Sequence, residues 1–316
     1  VLTESGRISR TYSDEQPRIT TTTIKDPPLL MLLANASETL YLFTEDGMAA
    51  TVAIYQLPQS HDFEQGAPFH SIAPLEAEQR IAAGLTLPLA AEHGYLTLAT
   101  VGGLVKRIVL DDLPGLSARP FRVIGLVDDM LGWAAWTTGS DEVVLTSAEG
   151  QAIRFHEDDV RPMGLPAGGV RGIKLGGPLD RVVGMAVVEP GKSLWTITTT
   201  GLAKSSRIEE YPRQGRYGQG VITMKLADRN TLLAAAALGA LDDSLIVVTS
   251  RGKPKHMRLG LAPRAGRNTQ GDSVVALGPD EYVVRVVAPR AYSLAVPEDQ
   301  GESSVEAEGS APLDPV

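Results

Sequence analysis

Residues 147–175 read SAEGQAIRFHEDDVRPMGLPAGGVRGIKL, and the reading of this stretch decides the fold. Two short apolar segments flank Gly150, a polar loop carries Arg154, Arg161 and Arg171, and Gly168-Gly169 leads into a further apolar run. A glycine between two strand-prone segments supplies the positive φ that a tight hairpin needs. The pattern recurs along the chain. A Thr or Ser, two residues, a Gly, then Lys or Arg three or four residues later appears as Thr3-Gly6-Arg10, Thr100-Gly103-Lys106-Arg107, Ser147-Gly150-Arg154, Thr198-Gly201-Lys204 and Thr249-Gly252-Lys255. Thr44-Gly47 is a sixth copy without its basic residue. The glycines at 6, 47, 103, 150, 201 and 252 stand 41, 56, 47, 51 and 51 residues apart, a period that belongs to bladed or solenoid β architectures.

The residues ahead of each glycine are LYLFT (40–44), YLTLAT (95–100), EVVLT (142–146), LWTIT (194–198) and LIVVT (245–249), short and rich in β-branched and aromatic side chains. A polar loop follows each hairpin and leads to a third run, FRVIGLV (121–127), GVRGIKL (169–175), GVITMKL (220–226) or SVVALG (273–278). A fourth closes the repeat, as in RVVGMAVV (181–188) and EYVVRVV (281–287). Alanine content alone would make 232–240 a helix, but its place in the repeat matches RVVGMAVV and makes it a strand. The expectation is all-β: six repeats of four antiparallel strands, set radially so that only short sheet edges are exposed. Residues 1–296 form this single domain, and 297–316, rich in Pro, Gly, Ser and Glu with almost no bulky apolar residue, form an acidic disordered tail.

Composition excludes several classes. With 316 residues and 43% hydrophobic content the chain can bury one large core or two ordinary ones. Zero cysteines remove disulfides, thiolate nucleophiles and cysteine-bound zinc, and fit a reducing compartment such as the cytoplasm. No run reaches the roughly 20 apolar residues that cross a bilayer. The first residues lack the features of a signal peptide, and a start without methionine points to a piece of a longer protein. The net charge of −9 is unevenly spread. Residues 1–100 carry 5 Lys+Arg against 12 Asp+Glu, residues 101–296 carry 24 against 20, and residues 297–316 carry none against 6. A mildly basic middle therefore lies between two acidic ends, and phosphates respond to such local clustering.

The series GLVKR (103–107), GQAIRFHEDDVRPMG (150–164), AGGVRGIKL (167–175) and GRNTQG (266–271), with the recurrent Thr-x-x-Gly or Ser-x-x-Gly turns, resembles the C-terminal domain of the A subunit of DNA gyrase and its topoisomerase IV counterpart. The resemblance covers residues 1 to about 290. It implies a six-bladed β-pinwheel, with duplex DNA bent around its outer rim through phosphate contacts that read no bases. Taken singly, each Lys or Arg is an ordinary solvated cation. As a phased series, Lys106, Arg107, Arg154, Arg161, Arg171, Lys174, Lys204, Arg213, Arg216, Lys255 and Arg267 are the expected phosphate contacts. The resemblance further implies no cofactor in this domain. Strand passage and magnesium belong to an N-terminal portion, and ATP hydrolysis to a B subunit. The expected partners are double-stranded DNA, the B subunit, and the rest of the A subunit, in the bacterial cytoplasm at the nucleoid.

The family's box, Gln-Arg-Arg-Gly-Gly-Lys-Gly, lies in the first blade. Here the matching stretch is QPRITTT, which keeps Gln16 and Arg18 but no glycine and no lysine. A partial match stands in the fifth repeat, QGRYGQG, where Gln214, Arg216, Gly218 and Gly220 agree. Two mechanisms remain open: a domain that guides DNA without chiral wrapping, as in topoisomerase IV, or a fifth-blade motif that takes over the box's role. The acidic tail is either a solubilising end or an intramolecular competitor for the basic rim.

Other chemistry finds little support. Gly191-Lys192-Ser193 lacks the upstream glycine of a phosphate loop, and Gly168-Gly169 with Gly172 lacks the dinucleotide spacing. His156-Glu157-Asp158-Asp159 are too close in sequence to converge on one ion. His61, His70 and His93 have no nucleophile in a recognisable arrangement, and Trp133, Trp136 and Trp195 lie in strand patterns that suit a core. From a different class, a protein-interaction propeller would show apolar residues on its top loops, and a glycosidase would need paired carboxylates facing a central funnel. Asp128-Asp129 and Asp242-Asp243 are the nearest candidates for such a pair, and both fall at turns.

Overall fold

The computed structural model describes residues 1–12, 25–87, 93–228 and 230–291. The first-blade stretch with Gln16 and Arg18 and the acidic tail 297–316 lie outside the described residues.

Each Thr-x-x-Gly or Ser-x-x-Gly segment closes a hairpin. In all six copies the glycine N–H donates to the carbonyl of the Thr or Ser three residues back, at 2.8–3.1 Å. The threonine hydroxyl then accepts from the residue after the glycine, as Arg7 N to Thr3, Met48 N to Thr44, Leu104 N to Thr100 and Leu202 N to Thr198, at 2.9–3.0 Å. A donor left over by the turn is thereby satisfied without water, which is why a hydroxyl recurs there. The six hairpins define blades 1 to 6: Leu2–Thr3 with Arg7–Ile8, Thr39–Thr44 with Met48–Ala53, Tyr95–Thr100 with Leu104–Val109, Glu142–Ser147 with Gln151–His156, Ser193–Thr198 with Leu202–Arg207, and Ser244–Thr249 with Pro254–Arg258.

A third strand pairs with the first strand of each hairpin on the inner side of the ring. These are Pro28–Leu30, Ile81–Leu87, Leu131–Thr137, Val182–Val187, Leu233–Gly239 and Val283–Val287. The alanine-rich segment is thus a strand, paired residue for residue with Ser193–Thr198 apart from one bulge.

The repeats supply four strands as expected, but a blade is not one repeat, because its outermost strand comes from the following repeat. Ala67–Pro68 pairs with Arg7–Ile8, Phe121–Arg122 with Met48–Ala53, Val170–Arg171 with Leu104–Val109, Val221–Ile222 with Gln151–His156, and Asp272–Ser273 with Leu202–Arg207. Of the long run 121–127 only Phe121–Arg122 is a strand. The exchange requires very close backbone approach. At Gly220, with φ +78°, an added Cβ would stand 2.3 Å from the Ala152 carbonyl oxygen. Only glycine serves there. Blade 6 has three strands among the described residues, and the ring closes where Arg290–Ala291 runs parallel to Leu32–Leu33.

Every residue of Thr39–Thr44 and of Ser193–Thr198 is buried, because a blade in a ring is covered on both faces by its neighbours. This accounts for unbroken apolar runs where a one-sided sheet would alternate. The core is accordingly a set of seams between blades. Phe43, Leu85, Leu96 and Ile108 fill the one between blades 2 and 3, Val105, Leu145 and Phe155 the next, and Trp195, Leu245 and Val247 the one between blades 5 and 6. Trp195 is fully buried, and Trp133 and Trp136 pack partly buried against these clusters.

The inner strands surround a central cavity of about 2050 Å³ lined largely by apolar residues such as Val182–Val187 and Ala234–Leu238. Carboxylates lining it include Asp141 and Asp243, which accept from the N–H groups of Thr138 and Ala240. Asp129 likewise accepts from Gly102 N and Met130 N. These groups serve turns, as their sequence positions suggest.

Candidate nucleic-acid interface

The outer rim is made by the loop after each hairpin and the short exchanged strand that follows it. The loops interlock. Gly125 N donates to Ala167 O, Lys174 N to Gly218 O and Lys225 N to Thr269 O, so each of these three loops is hydrogen-bonded to the segment that follows the exchanged strand of the repeat before it. Side chains on successive loops are therefore held at fixed separations.

The expected phosphate contacts divide into two groups. Lys106 and Lys204 are completely buried. The Nζ of Lys106 donates to the carbonyls of Val123, Leu165 and Ala167 at 2.8, 2.6 and 2.9 Å. The Nζ of Lys204 donates to Gly266 O at 2.6 Å and Arg267 O at 2.7 Å, with Ser206 Oγ at 3.3 Å. Both lysines lie three residues after their hairpin glycine and face the loop of the next repeat from behind. Their donors are spent on carbonyls, so they hold the rim's backbone and do not reach its surface. Burial pulls the pKa of each down to about 8. For Lys204, Glu210 pushes the value up and Arg267 pushes it down.

Arg107 is also withdrawn from the interface. It is 4% exposed, bonded to Glu157 at 3.3 Å and Asp158 at 2.9 Å, and stacked over the Tyr95 ring at 4.3 Å. Arg154 is half-buried, paired with Glu142 and bonded to Ile208 O and Tyr211 O at 3.0 and 3.3 Å. Lys255 is half-buried against the Ala276 carbonyl. In each case the basic residue after a hairpin turn sits in the body of the blade, where its partners are carbonyls and carboxylates, of the next repeat for Arg107, of its own and the next for Arg154, and of its own for Lys255.

Arg161, Arg171, Lys174, Arg213 and Arg216 are exposed, and Arg267 is half-buried. Arg216 Nη1 donates to Arg171 O at 3.1 Å, and one repeat further on Arg267 Nη1 donates to Ile222 O at 3.2 Å. The rim also carries exposed basic residues that the sequence reading passed over: Arg119, Arg122, Lys225 and Arg264. Lys225 and Arg264 stand 51 residues after Lys174 and Arg213. Carrying the 51-residue offset of the hairpin glycines Gly150, Gly201 and Gly252 through to the rim loops would have found these two.

Gln214, Arg216, Gly218 and Gly220 lie together in one rim loop. Gln214 N donates to Arg154 O at 2.8 Å, and Gly218 packs on Ile153, which occupies the place that Lys106 and Lys204 hold in blades 3 and 5. The agreement at Gly220 is accounted for by the backbone approach described above. His156 Nδ1 accepts from Asp158 N at 3.2 Å and caps the short helical turn Glu157–Asp159. Among the described residues no group of three His, Cys, Asp or Glu is placed to hold a metal ion, and no helix is long and apolar enough to cross a membrane.

Comparison with known proteins agrees with this architecture. The family model described as DNA gyrase C-terminal domain, beta-propeller, matches residues 94–126, 141–189, 193–238 and 243–289. The A subunit of DNA gyrase from Salmonella typhimurium is 36% identical over 263 residues, covering 82% of this chain and 30% of that protein. That of Haemophilus influenzae is 32% identical over 282 residues, covering 80% of this chain and 32% of the relative. The chain thus spans about a third of the length of the curated relatives it matches. Among solved structures, the C-terminal domain of DNA topoisomerase IV superposes with a TM-score of 0.76 at 22% identity, over 90% of each chain. The DNA gyrase A C-terminal domain gives 0.74 at 20% identity, over 92% of this chain and 98% of that one.

Proposed function

Since the chain belongs to the DNA gyrase C-terminal domain family, we propose that it is the DNA-binding part of a bacterial type IIA topoisomerase, within the A subunit, holding duplex DNA non-specifically along its outer rim. The observation that carries this reading is the arc of exposed basic residues from Arg119 and Arg122 through Arg161, Arg171, Lys174, Arg213, Arg216 and Lys225 to Arg264. They recur on consecutive loops that are hydrogen-bonded in series. A duplex following that arc meets one cluster per repeat, and its contacts go to phosphates. Bending DNA through 40–90° over a 20–30 bp site costs of order 1–6 kcal/mol, which the added contacts must offset. The chain is proposed to be non-catalytic and to need no cofactor. ATP hydrolysis would belong to the B subunit, and strand passage with its magnesium to the rest of the A subunit, in the cytoplasm at the nucleoid. The acidic segment 297–316 is proposed to compete for the rim and tune its affinity.

A second reading, guiding DNA without chiral wrapping in the manner of topoisomerase IV, is favoured by the charge of residues 1–100 and by a first-blade stretch without the box glycines. A protein-interaction role draws on exposed Val127, Met130, Leu179 and Tyr282, which sit on equivalent loops entering the inner strands. One experiment separates the three: binding to a linear duplex of about 150 bp against salt, with a topology assay in which relaxed circles are ligated in the protein's presence. For about six phosphate contacts, log K should fall against log salt with a slope near −5. Binding with a linking-number shift supports chiral wrapping, and binding without one supports the guide. Absence of binding at low salt, with and without the tail, leaves the protein-interaction reading.

A further inference from the structure

The junction of repeats 4 and 5 is built differently from its equivalents around the rim. Tyr217 adopts φ +67°, and the other non-glycine residues with positive φ among those described are Asp128 and Asp280. Aspartate tolerates that region, whereas a bulky aromatic residue there is a rare outlier that the surroundings must hold in place. The surroundings do so: Tyr217 N donates to Gly172 O at 2.6 Å. The ring stays 42% exposed and lies beside Arg171, whose Cζ is 5.2 Å from the ring centroid and whose Nη1 donates to the phenolic oxygen at 2.7 Å. Arg216 ties the two segments from the other side through Arg171 O at 3.1 Å and Asp159 O at 2.8 Å.

The repeat supplies its own controls. One repeat on, the residues equivalent to Arg171, Arg216 and Tyr217 are Ile222, Arg267 and Asn268, which keep the carbonyl bond but have neither outer cation nor ring. One repeat back they are Arg122, Leu165 and Pro166, an outer cation without a ring. A strained backbone, an exposed ring and a paired cation therefore coincide at one place on the rim. The core does not need this arrangement, since the neighbouring loops fold without it.

We propose that Tyr217 is a positioning residue that holds Arg171 ready for a backbone phosphate of duplex DNA, so that the junction of repeats 4 and 5 is the anchoring contact of the rim. Arg171 spends Nη1 and one face on the tyrosine, while its Nε and Nη2 have no protein partner among the described residues. An exposed arginine ordinarily loses rotamer freedom when it binds. One already fixed by stacking and a hydrogen bond loses less, and its planar fork suits phosphate. The proposal rests on the rim-binding reading.

The test is duplex binding against salt, with thermal unfolding alongside, for Arg171→Ala, Tyr217→Phe, their combination, and Tyr217→Gly. Arg171→Ala should reduce the steepness of the salt slope by about 0.9. Tyr217→Phe, which loses only the hydroxyl, should weaken binding roughly three- to tenfold at unchanged Tm, and should cost nothing further in the Arg171→Ala background. Tyr217→Gly relieves the backbone, so it should bind more weakly while melting higher. An undiminished effect of Tyr217→Phe without Arg171, or a Tyr217→Gly variant that melts lower, overturns the positioning role. Unchanged affinity and slope in Arg171→Ala, with the parent binding normally, overturns the proposal and leaves the rim reading intact. A parent that does not bind at low salt removes both.

Discussion

The seam between blades 3 and 4 and the seam between blades 6 and 1 are the same join made from unequal material. Between blades 3 and 4, the 5%-exposed side chain of Arg107 meets the 1%-exposed side chain of Glu157. Glu157 Oε1 also accepts from Gly139 N at 2.6 Å and Asp141 N at 2.7 Å. Around them lies an apolar cluster that includes Val105, Leu145, Ile153, Phe155 and Ile173. Between blades 6 and 1, Arg285 meets a half-exposed Glu4 at 2.9 Å, and the buried apolar cluster is Met31, Ile246, Val248 and Val287. The closing strand pair there is two residues long, Arg290–Ala291 on Leu32–Leu33. Blades alike in backbone path therefore differ in cohesion. A ring assembled this way should open first at the join between its ends, where the fewest groups must be exposed to water.

Substitutions that remove equivalent groups at the two seams sharpen or break this comparison. The largest effect is expected from Arg107→Ala, which strands the buried carboxylate of Glu157 and should cost about 3–5 kcal/mol in urea unfolding. Truncating the two cores should follow in order. Leu145→Ala should cost about 4 kcal/mol and Met31→Ala about 2 kcal/mol, because the smaller seam can collapse onto the space left behind. Equal values for this pair would mean the seams are equally cohesive.

Lys204→Met leaves carbonyls of the 266–269 loop without a donor and should cost about 1–2 kcal/mol. It should leave the salt slope of DNA binding unchanged, because this lysine never reaches the rim. The same burial fixes a pH dependence. The folded-state pKa of Lys106 and of Lys204, about 8, lies below the ordinary lysine value of 10.5. Between these values the unfolded chain holds a proton that the folded chain has released. Unfolding at pH 9 should therefore take up protons, and stability from these groups should rise with pH across that window, with the burial penalty fully felt below about pH 8. Titration calorimetry of the double Lys→Met variant should show this uptake lost. The smallest effect is expected from Arg285→Ala, below about 1 kcal/mol, since the Glu4 carboxylate it leaves behind is half-exposed and can be hydrated. A loss as large as that of Arg107→Ala would remove the distinction between the seams.

The spacing of Gly6, Gly47, Gly103, Gly150, Gly201 and Gly252 was enough to give six blades, because each marks a hairpin whose turn is local in sequence. The fifth-repeat loop was legible too, since Gln214 to Gly220 are contiguous. The assignment of cations was not. Lys106, Lys204 and Arg107 carry the same local signature as the residues expected at the rim, a basic side chain just after a turn, yet all three are buried.

Strand periodicity, turn chemistry and the apolar runs were written in the sequence by itself, since each depends on neighbours a few residues apart. Which repeat completes which blade, which cations are spent on carbonyls, and that Tyr217 meets Arg171 were decided only in the tertiary structure. The carbonyls that take Lys204 lie 62 and 63 residues away, and the tyrosine beside Arg171 is 46 residues distant. Exchange of a strand between repeats brings such groups together, and no local pattern records it.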